Sequence, residues 1–274
     1  ARAAGHTCQT LEEVCRTMNR RLKPSVYPDT RVGKALVSYL VSLAPKQFGF
    51  HVVGGRLYLY ETPVWEEETR LIHAIHKLAR AKKPFLPDVE VDRIEKTIGI
   101  TYNQEQRAAF ALLKESGVKV LTGPPGSGKT AMIRGLLEAV QDLAPEKRIQ
   151  LSATTGRASQ GLSASCGRPA ETVHKLLGIR PFGDSLWSRN ESNPVEADIL
   201  IVDEVSMLGL KLASLLFRAV KPGSILLLVG DDNQLQSVEY GSILQDLMAS
   251  GQVEVYRLTK VMRQSGLIYG NAKR

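Results

Sequence analysis

Apolar and polar positions along this chain fall into two regimes, one on either side of about residue 90. Residues 9–22 (QTLEEVCRTMNRRL) and 33–43 (GKALVSYLVSL) carry helical periodicity, and FHVVGGRLYLYE (50–61) alternates around Gly54-Gly55 like a hairpin with a tight turn. A further helix is predicted from about Val64 to Lys82. Helix, helix, hairpin is the outline of a small winged-helix-like α+β module, a shape that serves nucleic-acid and protein partners alike. A polar, proline-punctuated link runs from Lys82 to Asp88, and a new unit begins near Asp92–Tyr102. From there apolar strand-like runs at 118–122, 149–153, 198–202, 224–230 and 253–258 alternate with helical stretches at about 104–115, 129–141, 171–177, 209–220 and 241–250. That alternation predicts an α/β domain on a mainly parallel sheet, whose ligands sit at the carboxyl ends of the strands. The expected division is therefore 1–90 and 91–274.

Composition narrows the setting. No apolar run approaches the roughly 18 to 20 residues needed to cross a bilayer, and the first residues lack a basic, apolar, small-residue leader, so a soluble cytoplasmic protein without a membrane partner is expected. Cys8, Cys15 and Cys166 are odd in number and lack C-x-x-C spacing, which indicates plain thiols. His73 and His76, spaced i, i+3 with no cysteine or carboxylate partner in the pattern, read as a solvated face rather than a metal site. The net charge of +8 and pI near 9.4 suit a polyanionic partner. Basic clusters at Arg20-Arg21-x-Lys23 and Arg80-x-Lys82-Lys83 could touch phosphate backbone, but taken singly each reads as charge solvating a helix end. Phe182 and Trp187 lie in a long predicted loop, 178–196, and offer rings for stacking on bases or for tucking against their own domain.

The chemistry is concentrated at the strand ends. VKVLTGPPGSGKT (118–130) is a β-run that breaks into G-x-x-x-x-G-K-T, with Gly123, Gly128, Lys129 and Thr130 at the fixed positions of a phosphate loop. Glycines, including Gly126, let successive N–H groups turn inward at phosphates, and the following helix adds its positive end. Residues Pro125 to Ala131, Ser127 among them, are the expected nucleotide cradle. Lys129 would reach the β- and γ-phosphates of ATP and the Thr130 hydroxyl would coordinate Mg²⁺. The run Asp198-Ile-Leu-Ile-Val-Asp203-Glu204 ends in two carboxylates, with Asp203 suited to Mg²⁺ and Glu204 to deprotonating the attacking water. A later run delivers Gly230-Asp-Asp-Asn-Gln234, an amide for the γ-phosphate or lytic water, and the last leads to Arg263, a guanidinium for charge building on the γ-phosphate.

In this order the motifs resemble the RecD-like helicases of superfamily 1, the branch that moves 5′ to 3′ on single-stranded DNA, over about residues 101–274. By that resemblance Gln106 of Tyr102-Asn-Gln-Glu-Gln106 reads the adenine. Ala153-Thr-Thr-Gly-Arg-Ala158 and Thr172-Val-His-Lys-Leu-Leu-Gly178 are similar to segments that line the strand path in the family, which makes Thr154, Thr155, Thr172 and His174 the nucleic-acid candidates. Thr154, Arg157 and Gln236 depart from the family pattern, which has proline, lysine and proline there. The resemblance also implies a winged-helix-like region before the motor and a second RecA-like domain that this chain does not encode. It implies an ATP-driven translocase on single-stranded DNA and duplex junctions, with a protein partner left undefined. The rival reading is a P-loop ATPase that switches or loads a protein partner.

Overall fold

The computed structural model describes residues 8–21, 33–179, 188–234 and 241–261. At the start, β1 (Cys8–Thr10), β2 (Phe48–Val53) and β3 (Arg56–Glu61) form an antiparallel sheet in the order β1-β3-β2, beside α1 (Leu11–Arg21) and α2 (Lys34–Ser42). Gly54 and Gly55 both have positive φ, +55° and +75°, the backbone a two-residue hairpin turn demands. Leu11, Val37 and Val41 supply a small core of their own. The short strand β1 was not legible in the pattern.

Helix α3 (Thr62–Arg80) behaves differently from its neighbours in sequence. Its buried stripe, Val64, Leu71, Ala74 and Leu78, joins one apolar cluster with Leu216 and Phe217 of α9 (Leu210–Ala219) and with Val118 and Val120. Apolar packing therefore runs straight across residue 90. Helix α4 (Val91–Ile98) follows and ends on Gly99 in the left-handed region.

The remaining strands are β4 (Gly117–Thr122), β5 (Ile149–Ala153), β6 (Ala170–Thr172), β7 (Ile199–Asp203), β8 (Ile225–Gly230) and β9 (Glu254–Arg257). They form one sheet in the order β6-β5-β7-β8-β4-β9, and every pairing is parallel, as the α/β alternation predicted. The two faces bury alternate residues of the same strands. Leu200, Val202, Leu226 and Leu228 face the cluster containing α3 and α9, while Ile199, Ile201, Leu227 and Val229 face the cluster containing α6 (Lys129–Leu143). This two-sided burial is why the strands read as near-continuous apolar runs.

Two predicted elements need revision, and one helix was not foreseen. The helix expected over 104–115 is α5 (Gln104–Ala109) followed by a tighter 3₁₀ turn at 110–113. The stretch 171–177 divides between β6 and α8 (Val173–Leu176), because Thr172 caps the helix by accepting from the Lys175 N–H at 3.2 Å. Helix α7 (Gly156–Cys166) was hidden by its polar, glycine-containing sequence and forms through the Thr155 cap and the burial of Ser159 and Leu162. The last helix, α10 (Ile243–Ser250), lies where expected. Among the described residues no helix is long and apolar enough to cross a membrane, and His73 and His76 gather no third metal ligand.

Candidate nucleotide site

The carboxyl edge of the sheet carries the chemistry. Strand β4 ends at Thr122, residues 123–128 form the loop, and α6 starts at Lys129. Gly126 and Gly128 have φ of +80° and +88°, and a Cβ on Gly123 would stand 2.4 Å from the Leu258 carbonyl oxygen and 2.7 Å from Ser127 Oγ. Glycine is needed at the first two for backbone sign and at the third for close approach. The Lys129 ammonium donates to the carbonyls of Gly123 (2.6 Å) and Pro124 (3.2 Å), so its charge is already folded over the loop.

Across the sheet, Asp203 stands abreast of Ala153, which stands abreast of Thr172. Asp203 Oδ1 accepts from the Glu204 N–H at 2.9 Å. Burial pushes its carboxyl above the usual range, opposed by that hydrogen bond, reinforced by the Glu204 charge and opposed again by Lys129. Such a carboxylate gains from a cation. Glu204 has φ +56° and ψ +38°, and among the described residues it is the one non-glycine in the left-handed region. Holding a side-chain-bearing residue there costs about 1–3 kcal/mol, a strain characteristic of functional sites.

A cleft of about 630 Å³ opens between these elements, lined by Gln106, Lys129, Thr130, Asp203, Glu204 and Gln234 together with Pro125, Gly126, Gly128 and Ala131. Sequence positions as far apart as Gln106 and Gln234 thus converge on one space. Oxygen donors from Thr130 and Asp203 with room for phosphates suit Mg²⁺, which takes few protein ligands and completes its shell from substrate and water. Ser127 is buried and faces Gly123, with its hydroxyl unpartnered in the protein. Gln234 Oε1 accepts from the Ser206 hydroxyl at 3.1 Å. Gln106 is almost wholly buried; its Oε1 accepts from the Asn103 N–H and its Nε2 donates to the Ser127 carbonyl at 3.2 Å, tying α5 to the loop.

The strand-path candidates divide. Thr155 and His174 are exposed, and Thr155 and Thr172 both serve as helix caps. Thr154 instead turns inward: its hydroxyl donates to the Glu204 carbonyl at 3.0 Å and its N–H to the Asp203 carbonyl at 3.3 Å. Arg263, Phe182 and Trp187 lie outside the described residues.

Several contributors escaped the motif reading. Ser206 holds the Gln234 amide, and Asp232 accepts from Thr122 Oγ1 (3.1 Å) and Arg257 (2.7 Å). Glu105 accepts from the Thr259 N–H (2.7 Å), its hydroxyl (2.5 Å) and the Lys260 N–H (3.4 Å), pinning the segment 258–261 over the loop. No spacing rule announces such pairs, because their partners lie up to 155 residues away.

Comparison with known proteins gives a family-model match, described as an AAA domain, over residues 101–272. The chain is 32% identical over 265 residues to RecBCD enzyme subunit RecD of Mycolicibacterium smegmatis, covering 89% of this chain and 46% of that protein. It is 38% identical over 180 residues to the ATP-dependent RecD2 DNA helicase of Deinococcus radiodurans, covering 62% of this chain and 24% of that one. A solved Pif1 helicase from Candida albicans aligns with a TM-score of 0.44 at 23% identity, over 61% of this chain and 42% of its own, too partial a likeness to add to the fold described above. The chain spans about half, or less, of the length of these relatives.

Proposed function

Since the chain belongs to the AAA-domain family and is a RecD-like superfamily 1 helicase region with a RecA-like P-loop fold, we propose that it is the ATP-hydrolysing part of a DNA translocase. The observation that carries this reading is the meeting of loop, acid pair and sensor glutamine in one cleft at the sheet's carboxyl edge. Lys129 moves from the Gly123 and Pro124 carbonyls to the β- and γ-phosphates of ATP, while the loop N–H groups hold the phosphate chain. Thr130 and Asp203 would hold Mg²⁺, which neutralises charge on the triphosphate when bound. Glu204 takes the proton of the attacking water, Gln234 senses the γ-phosphate, and Arg263 neutralises charge developing there. Gln106 faces the base with its remaining amide hydrogen.

In this reading the strand runs along the β5–β6 end of the edge, past Thr155, Thr172 and His174, and is single-stranded DNA followed 5′ to 3′ toward duplex junctions. Residues 1–90 form the accessory unit that meets nucleic acid or a protein partner, and the protein works in the cytoplasm. Backbone contacts suit the chain's net charge of +8 and imply little sequence preference. Steady-state ATP hydrolysis by the full-length protein, with and without single-stranded oligonucleotide, tests the proposal. Stimulation is expected, together with loss of hydrolysis but not of folding in Lys129→Ala. Hydrolysis indifferent to oligonucleotide would sink the translocase reading in favour of a protein-directed switch.

A further inference from the structure

Thr154 belongs by position to the strand-path segment and by contact to the acid pair. Its hydroxyl bonds the carbonyl of Glu204 and its N–H bonds the carbonyl of Asp203, while the Glu204 N–H closes back onto the Asp203 carboxylate. The next residue, Thr155, is exposed and starts α7 by capping the Ala158 N–H at 3.2 Å. One peptide bond therefore separates a surface-facing cap from the backbone that aims Glu204. The left-handed conformation of Glu204 is not one its side chain prefers, so neighbours must hold it, and Thr154 is the side chain that does so from outside the motif.

We propose that Thr154 is a positioning residue that transmits occupancy of the exposed segment 155–157 to Glu204, so that strand binding sets the aim of the water-activating carboxylate. This rests on the nucleic-acid reading above and deepens it. A strand pressing on Thr155 or the start of α7 shifts Thr154, and the Glu204 peptide follows because both partners of the Asp203–Glu204 turn hang from the same residue. A hydroxyl committed to a carbonyl 3.0 Å away is also poorly placed to be a strand ligand itself.

The experiment compares wild type, Thr154→Val and Thr154→Ser in the full-length protein, measuring ATP hydrolysis against oligonucleotide concentration. In Thr154→Val the ratio of stimulated to basal turnover falls by about fivefold or more, as loss of one oriented hydrogen bond predicts. The oligonucleotide concentration at half effect and the KM for ATP stay within about twofold, since no ligand contact is removed. Thr154→Ser restores the ratio. Should Thr154→Val fail to fold, Thr154→Ala removes the same hydroxyl with less bulk and carries the same expectation. Weakened oligonucleotide binding with full stimulation at saturation would make Thr154 a strand ligand and overturn the proposal, as would unchanged stimulation in the valine and alanine variants. An unstimulated wild type sinks the translocase reading; a stimulated wild type matched by Thr154→Val sinks only the relay.

Discussion

Replacing Gly123 by alanine tests the closest packing in the nucleotide site. The added Cβ would stand 2.4 Å from the Leu258 carbonyl oxygen, so one backbone must retreat by about 1 Å to reach ordinary contact. The Leu258 carbonyl cannot swing aside like a side-chain tip: Leu258 is held to β4 through its N–H on the Thr122 carbonyl at 2.8 Å, and Thr259 and Lys260 are pinned by Glu105. Overpacking of this kind costs about 2 kcal/mol. For a chain of 274 residues that lowers Tm by about 3–4 °C. The same retreat misaligns loop N–H groups. One misplaced N–H to a charged phosphate, about 1.5 kcal/mol, weakens nucleotide Kd by about tenfold. Gly161→Ala is the control, because a Cβ there meets nothing within 4 Å in the interior of α7, and alanine should raise stability by about 0.5–1 kcal/mol. Differential scanning fluorimetry and titration with a fluorescent ATP analogue give both quantities. A Gly123→Ala protein that melts and binds like wild type would refute the close approach of segment 258–261 to the loop.

Two further perturbations separate charge from packing. Lys119 is fully buried in β4 with its ammonium 2.5 Å from Glu254 Oε1, off the hydrogen-bond direction; burial works against that carboxylate, but Lys119 and then Lys82 hold it below the usual range. Lys119→Met should leave stability unchanged or raise it, whereas Glu254→Gln strands a buried ammonium and should cost about 2 kcal/mol, reduced from the fully buried case by the exposure of Glu254. Chemical denaturation showing the opposite order would mean the pair stabilises the strand outright. The hydrogen bonds from Thr259 and Lys260 hold Glu105 below its ordinary value of 4.5. A depressed carboxyl contributes stability that is full above that value and lost as pH falls through the lower folded one. Melting of wild type and Glu105→Gln should therefore differ by a constant amount above about pH 5 and converge at more acid pH; a gap that widens on acidification refutes the assignment.

The nucleotide motifs were legible because their requirements are local. A β-run of six apolar-flanked residues followed by Gly123, Gly126, Gly128 and Lys129 needs no distant partner to specify its turn, and Gly54-Gly55 fixes its hairpin for the same reason. The parallel sheet followed from the strands' burial on both faces, which writes itself as continuous apolar runs. Other features answer to contacts that spacing does not encode. Helix α3 is amphipathic wherever it sits, and only assembly decided that its stripe packs on α9 rather than on the hairpin beside it in sequence. Helix α7 went unpredicted because its glycines and serines lack a wide apolar face, and a threonine cap and two buried side chains accompany its formation.

Thr154 marks the boundary most sharply. The family resemblance made it a strand-path candidate, and the register that sets Ala153 beside Asp203 brings its hydroxyl to the Glu204 carbonyl. Sequence alone determined which chemical groups are present and the order in which strands deliver them. The tertiary structure alone decided which of those groups share hydrogen bonds, because a bond between residues fifty positions apart depends on strand order and register, which no local pattern contains.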